Sequence, residues 1–223
     1  MEEIKNVTSV SECLSEAPPH TVRLSSGRYI NVSNLTMNDI CIEDIAHALA
    51  MKPRFNGNIL KHYSIALHSI AVAVRCPVGK KLQAMLHDAS EAYLFDIPTP
   101  YKSLPEFKDI VALEKNIQFQ VYDKYLCRDY TFDDADLKKA DKAELQREWK
   151  YFMLGEPYSF NESVLDTLCY NLCNAVNGDI LMGKILFIKE FIKAYEDEVS
   201  QGYCDDVLEI REEIEFLKEK YSL

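Results

Sequence analysis

The sequence predicts a mostly α-helical protein folded as one domain, with a small β-hairpin near its start. Three observations carry that expectation. Apolar residues recur at helical spacing from Asn38 to the end of the chain, whereas a single stretch, 21–32, has the character of strands. A length of 223 residues suits one domain with a substantial core. The charged fraction of 27% and hydrophobic fraction of 48% are those of an ordinary soluble chain, and no apolar run approaches the roughly 18 residues that a membrane span needs.

The elements follow in order. MEEIKNVTSVSECLSEAPPH (1–20) is a polar, acidic leader with neither a basic nor an apolar signal region, from which cytoplasmic residence is expected. TVRLSSGRYINV (21–32) reads as two short strands joined at Ser25-Ser26-Gly27. The next segment places Ile40, Ile45, Ala48 and Leu49 on one helical face and ends before Pro53. LKHYSIALHSIAVAV (60–74) and KKLQAMLHDASEAYLF (80–95) are apolar nearly all round, the mark of buried central helices. A third helix, 133–153, sets Leu137, Leu145 and Trp149 at four-residue steps toward the core, and further helices are expected near 162–176, 179–198 and 203–220.

Composition excludes several classes. A net charge of −11 spread along the chain opposes the basic stripe of a protein that binds polymeric nucleic acid, while a small anionic ligand at a local cation stays open. Seven cysteines at 13, 41, 76, 127, 169, 173 and 204 form no C-x-x-C pair, and free, buried thiols are expected.

Ionisable groups on apolar faces are costly unless paired or bound to a metal, so they are informative. His68 interrupts SIALHSIAVAV, His87 and Asp88 interrupt QAMLHDASEA, and Asp141 stands between Leu137 and Leu145. The short connection Cys76-Pro77-Val78-Gly79 forces the two central helices antiparallel. His68 lies nine residues before Pro77 and His87 nine after Val78, so both imidazoles come out at one level. Two nitrogens and two carboxylates suit one divalent transition metal such as Mn²⁺, Co²⁺, Zn²⁺, Fe²⁺ or Ni²⁺. Glu91, three residues after Asp88, projects toward the same place and can orient or deprotonate a water there; Asp96 is a second acid/base or a loop anchor. Each residue also has a plain reading: His68 and Asp141 as satisfied core groups, Arg54 as a surface ion pair, Lys102 as a solvated lysine. His62 and His47 compete with His68 as the first ligand and rank below it, His62 lying on a different face and His47 in the preceding helix.

The pattern H(68)…HD(87–88)…D(141) resembles the HD-domain metal-dependent phosphohydrolases. HDASEAYLFDIPTPYK closely resembles the corresponding stretch of bacterial 5′-deoxynucleotidases and phage-encoded deoxynucleotide triphosphohydrolases. The resemblance covers about residues 21–152, is weak beyond 155, and leans to the phage type through SSGRYINV and IEDIAHALA ahead of RFNG. It implies an HD-domain helical bundle, His68, His87, Asp88 and Asp141 as metal ligands, and Glu91 and Asp96 in catalysis. It further implies Arg54 on phosphate, Phe55 against sugar or base, and Lys102 at the substrate. The absence of a GYP signature and of an HDxxED box argues against cyclic-dinucleotide phosphodiesterases and guanosine-tetraphosphate hydrolases.

The function expected on this basis is hydrolysis of a deoxynucleotide phosphate ester. The first expectation is dNTP, dATP foremost, cleaved to deoxynucleoside and triphosphate, with additional Mg²⁺ on the phosphates. The second is a 5′-deoxynucleotidase on dNMPs, and the third a catalytically silent metal-stabilised regulatory protein. A small-molecule nucleotide, no membrane and a homo-oligomer complete the expected partners, and the location is the cytoplasm, that of the host for a phage protein.

Overall fold

The computed structural model describes residues 21–126, 130–157 and 162–223. The leader 1–20, with Cys13, and Cys127 lie outside the described residues. Strands β1 (Thr21–Arg23) and β2 (Tyr29–Asn31) pair antiparallel, Val22 opposite Ile30, and Gly27 supplies the positive φ of the turn between them. Among the described residues these are the only named strands, and nine α-helices follow, so the chain is mostly α with a small N-terminal hairpin.

The hairpin is fastened to α1 (Ile42–Met51) by one buried carboxylate. Asp44 accepts from Ser25 Oγ at 2.8 Å, Ser26 N at 2.9 Å and Ser26 Oγ at 2.8 Å, and pairs with Arg28 at 3.2 Å. Burial alone would raise the pKa of Asp44, but hydrogen bonds from Cys41, Ser25 and Ser26 outweigh it and hold the carboxyl at about 2. Glu43, beside it, receives Lys220, Tyr221 and Lys184 and so ties α1 to the C-terminal helices.

Helix α2 (Ile65–Arg75) starts where Ser64 Oγ caps Leu67 N–H, and nine of its residues, Ile65 to Ala73, are buried. It lies against α3 (Lys81–Met85), α6 (Ala135–Glu148) and α7 (Leu168–Val176). Helix α8 (Ile180–Ser200) packs on α1, with Phe187, Ile188 and Phe191 of α8 and Ile42, Ile45 and Leu49 of α1 buried in the shared core, and α9 (Leu208–Tyr221) lies against α8 and buries Ile210, Ile214 and Leu217. Apolar side chains from the hairpin to α9 join one continuous core cluster. The five described cysteines are free thiols, with Cys169 and Cys173 packed in that core.

Three local features differ from the sequence expectations. The helix expected over 80–95 stops at Met85; Leu86 to Asp88 turn, and a 3₁₀ turn follows at Ala89–Ala92 before the short helix α4 (Thr99–Lys102). The backbone groups freed by the break find partners elsewhere. Gln118 accepts from Ser90 N at 3.0 Å and donates to Leu86 O at 2.8 Å, while Lys52 Nζ donates to the carbonyls of Glu91 and Leu94.

Helix α5 (Lys108–Tyr125), which supplies Gln118, has no counterpart among the expected elements. Its buried residues, Ile117, Gln118, Val121, Tyr122 and Tyr125, form a narrow stripe with a polar member. The third difference is the rotation of α6. Leu137 is buried as expected, but Leu145 and Trp149 face outward, and the inner row is Leu137, Ala140, Glu144 and Glu148. Glu144 pairs with Arg75 of α2, which makes an ionic inner face tolerable. No helix among the described residues is long and apolar enough to cross a membrane.

Candidate metal centre

The broken helix and α2 bring two imidazoles together. Nε2 of His68 lies 3.3 Å from Nε2 of His87, with ring centroids 5.2 Å apart. Asp141 Oδ1 lies 3.2 Å from His68 Nε2, and Asp88 Oδ2 lies 3.3 Å from His87 Nε2 and 3.7 Å from His68 Nε2. Ligand atoms of His68, His87 and Asp141 all lie within 4.8 Å of one another, a group able to hold a metal ion. Neither His47 nor His62 belongs to it. The two histidines do meet, although the expectation assumed a continuous helix and His87 stands in the turn after α3.

The outer nitrogen of each ring is committed. His87 Nδ1 lies 2.8 Å from the carbonyl of Ala84, which can only accept, so Nδ1 carries the proton. His68 Nδ1 lies 2.6 Å from Oε1 of Glu148, a fully buried carboxylate. Burial would raise the Glu148 pKa, but His68 and Arg54 hold it below the ordinary range, so it too is an acceptor. The two Nε2 atoms thereby face each other across 3.3 Å, where a cation, a proton shared with Asp141 or a metal, is needed to keep their lone pairs from repelling. A ligand histidine whose second nitrogen donates to a carboxylate or carbonyl is the usual support of a metal site.

Charges around the cluster are paired by geometry. Burial and Arg54 push the His68 pKa down, but Glu148 and Asp141 outweigh them and raise it to about 10. Burial opposes ionisation of Asp141 and of Asp88, yet both are held below the usual carboxylate range, Asp141 by His68 and His87 and Asp88 by His87 and His68, with Arg54 adding to each. Arg54 itself bridges Glu148 at 3.1 Å and Asp88 at 3.8 Å. Contrary to its plain reading as a surface ion pair, it is mostly buried at the cluster's edge.

Arg54 is placed by a clamped loop. Arg54 N–H donates to Tyr63 O at 2.9 Å and Ile65 N–H to Lys52 O at 3.0 Å, pinning both ends of 53–64. Inside it Phe55 (φ 54°) and Asn56 (φ 51°) are left-handed, a conformation costing a non-glycine residue roughly 1–2 kcal/mol. The Phe55 ring stands 5.6 Å from the Arg54 guanidinium and meets Trp149 edge-on at 5.8 Å.

Glu91 is buried, and its Oε2 has no hydrogen-bond partner. Burial, then the charges of Asp88 and Asp96, push its pKa well above the ordinary value. Asp96 is partly buried and raised chiefly by burial. Lys102 pairs with Glu114 of α5 at 2.9 Å while still feeling the charges of Glu91 and Asp88. Sequence reasoning missed Glu148 and Lys52. Glu148 lies seven residues, two turns, after Asp141, a signal that it shares the face of the candidate ligand; nothing local marks Lys52.

The fold and this cluster define a mostly helical protein with a His–His–Asp group able to hold a metal ion. No family model matches the chain. It is similar to the uncharacterized protein YfdR of Escherichia coli (strain K12), 34% identical over 105 residues, which are 47% of this chain and 57% of that protein. An uncharacterized protein of Rhodobacter capsulatus is 41% identical over 90 residues, 36% of this chain and 46% of its own length. The chain thus spans about half the length of the curated relatives it matches.

Proposed function

We propose that the protein is a metal-dependent phosphohydrolase of deoxynucleotides, of the HD-domain kind its motif resembles, acting first on dNTPs and dATP among them. The observation that carries this reading is the pair of Nε2 atoms 3.3 Å apart, each ring fixed by its other nitrogen, with Asp141 and Asp88 converging on the gap. That donor set fits Mn²⁺, Co²⁺, Zn²⁺, Fe²⁺ or Ni²⁺. Bound there, such an ion supplies Lewis acidity to a phosphoryl oxygen and lowers the pKa of water.

The chain's residues do the rest. Glu91, buried with an unpartnered oxygen, takes the proton of the attacking water. Arg54, charged and beside Asp88, neutralises the phosphoryl oxygens, and Lys102 adds positive charge at the substrate. Phe55 packs on sugar or base, and Asp96 is a second proton carrier. A site built only to stabilise the fold needs neither Glu91 nor Arg54, which is why the catalytic reading is preferred to a silent regulatory one. Additional Mg²⁺ on the phosphates and assembly into a homo-oligomer belong to the same proposal.

The test is incubation of the chain with each dNTP and dNMP under Mn²⁺, Co²⁺ and Mg²⁺, resolving the phosphate species released. Triphosphate from dATP supports the reading; inorganic phosphate from dNMPs reassigns the protein as a 5′-deoxynucleotidase. No turnover on any nucleotide sinks it. Glu91→Ala is expected to keep metal and lose at least about a hundredfold in rate; full activity removes Glu91 from the mechanism.

A further inference from the structure

Trp149 is the single tryptophan of the chain and stands on the outer side of α6, 48% exposed, at the residue following Glu148. It opens a five-residue π-turn, Trp149–Met153, a local widening that departs from the regular helix where a side chain must be re-aimed. Its ring meets Phe55 at 73° and 5.8 Å, and Phe55 in turn carries Arg54 at 5.6 Å. Two aromatic rings at nearly right angles therefore form a corner, exposed to solvent on one side and bordered by the Arg54 guanidinium on the other. Phe55 is held in this corner by a left-handed backbone inside a loop clamped at both ends.

We infer that Trp149 completes, beside Phe55, the nucleobase subsite of this protein, as the stacking face that selects ligands carrying a base. The inference rests on the deoxynucleotide reading above and adds a second ring, Trp149, to the Phe55 contact of that reading. A flat apolar ring joined to a charged phosphate matches the corner: the ring covers exposed indole, and the phosphate reaches Arg54 and the His–Asp cluster. Every base has a π-face, so stacking here selects for the presence of a base more than for its identity. A bare phosphate or a sugar phosphate gains nothing from the corner.

The experiment uses the full chain carrying Glu91→Ala with Mn²⁺, so that ligands stay whole, and two probes, deoxyadenosine 5′-monophosphate and 2-deoxyribose 5-phosphate. The nucleotide is expected to quench Trp149 emission saturably, and the sugar phosphate to bind, by calorimetry, without quenching. Adding Trp149→Ala is expected to weaken the nucleotide about tenfold or more and leave the sugar phosphate unchanged, while Trp149→Phe loses less than about threefold. Equal nucleotide affinity with and without the indole overturns the inference, as does an equal loss for both probes. So does a Trp149→Ala chain that sediments as a smaller species, which would assign the ring to a contact between copies. Saturable quenching together with no turnover of any nucleotide by the wild-type chain would sink the hydrolase reading and keep the base subsite; turnover with an unchanged KM in a chain carrying Trp149→Ala alone would do the reverse.

Discussion

Glu148 holds two side chains of the candidate site at once, Oε1 on His68 Nδ1 and Oε2 on Arg54 Nε. Nothing in its own neighbourhood, QREWKYF, marks it as more than a charge on a helix, because its importance lies in partners 80 and 94 residues away. Its removal should be felt as loosened metal binding before anything else. Glu148→Gln keeps the volume but lets the His68 ring turn, and metal affinity measured by calorimetry is expected to fall about 10- to 100-fold. Glu148→Ala also leaves Arg54 and His68 without their shared counter-charge and should cost about 3–5 kcal/mol in denaturant unfolding. Affinity unchanged in Glu148→Gln would show that His68 is oriented by packing alone. His68, His87 and Asp88 were legible in the sequence because each interrupts an apolar run, and Asp141 through its place between Leu137 and Leu145, although Leu145 in fact faces outward; Glu148 was not, because it sits among other charges, and nothing local marks Lys52.

At the scale of elements, the decisive event is the end of α3 at Met85. A continuous helix over 80–95 would place His87, Asp88 and Glu91 on a regular spiral; the turn and 3₁₀ segment instead set His87 and Asp88 toward His68 while Glu91 stays buried. Apolar composition foretold burial here but not the break, since the groups that satisfy the broken backbone, Gln118 and Lys52, come from α5 and from the residue after α1. The hairpin was legible from Ser25-Ser26-Gly27, and its anchorage on α1 makes a pH prediction. Asp44 titrates at about 2 in the fold against an ordinary 3.8, so its contribution, about 2 kcal/mol, is complete above roughly pH 4 and is lost as pH falls through 2. Unfolding followed between pH 5 and 2 is expected to show a shallower acid loss in Asp44→Asn, whose stability at neutral pH is already lower. Parallel curves for the two chains would refute the assignment.

For the molecule as a whole, a chain of net charge −11 concentrates Asp88, Asp141, Glu91 and Glu148 around Arg54, which pairs directly with Asp88 and Glu148. A bound divalent ion relieves that repulsion only in the native state, so it stabilises the fold by mass action. After chelation, Mn²⁺ at about 100 times its dissociation constant should add about 2.7 kcal/mol, a rise of roughly 5–10 °C in the melting midpoint for a chain of this size. His68→Ala and Asp141→Asn should each remove most of that rise. A midpoint indifferent to Mn²⁺, Co²⁺ and Zn²⁺ in the wild-type chain would end the metal reading.

By itself the sequence determined the mostly helical class, the hairpin, and the polar intrusions His68, His87 and Asp141 that the structure brings into one group able to hold a metal ion, because periodicity and the cost of burying a charge are local properties. It also placed the two histidines at a common level through a connection too short for any other pairing. Only the tertiary structure decided which face of α6 turns inward, where α3 breaks, that α5 exists as the brace of that break, and that Trp149 is left in solvent beside Phe55. Each of those depends on partners far along the chain. Arg75 makes Glu144 tolerable inside, and Gln118 and Lys52 take up the orphaned backbone groups, so no window of neighbouring residues contains the information.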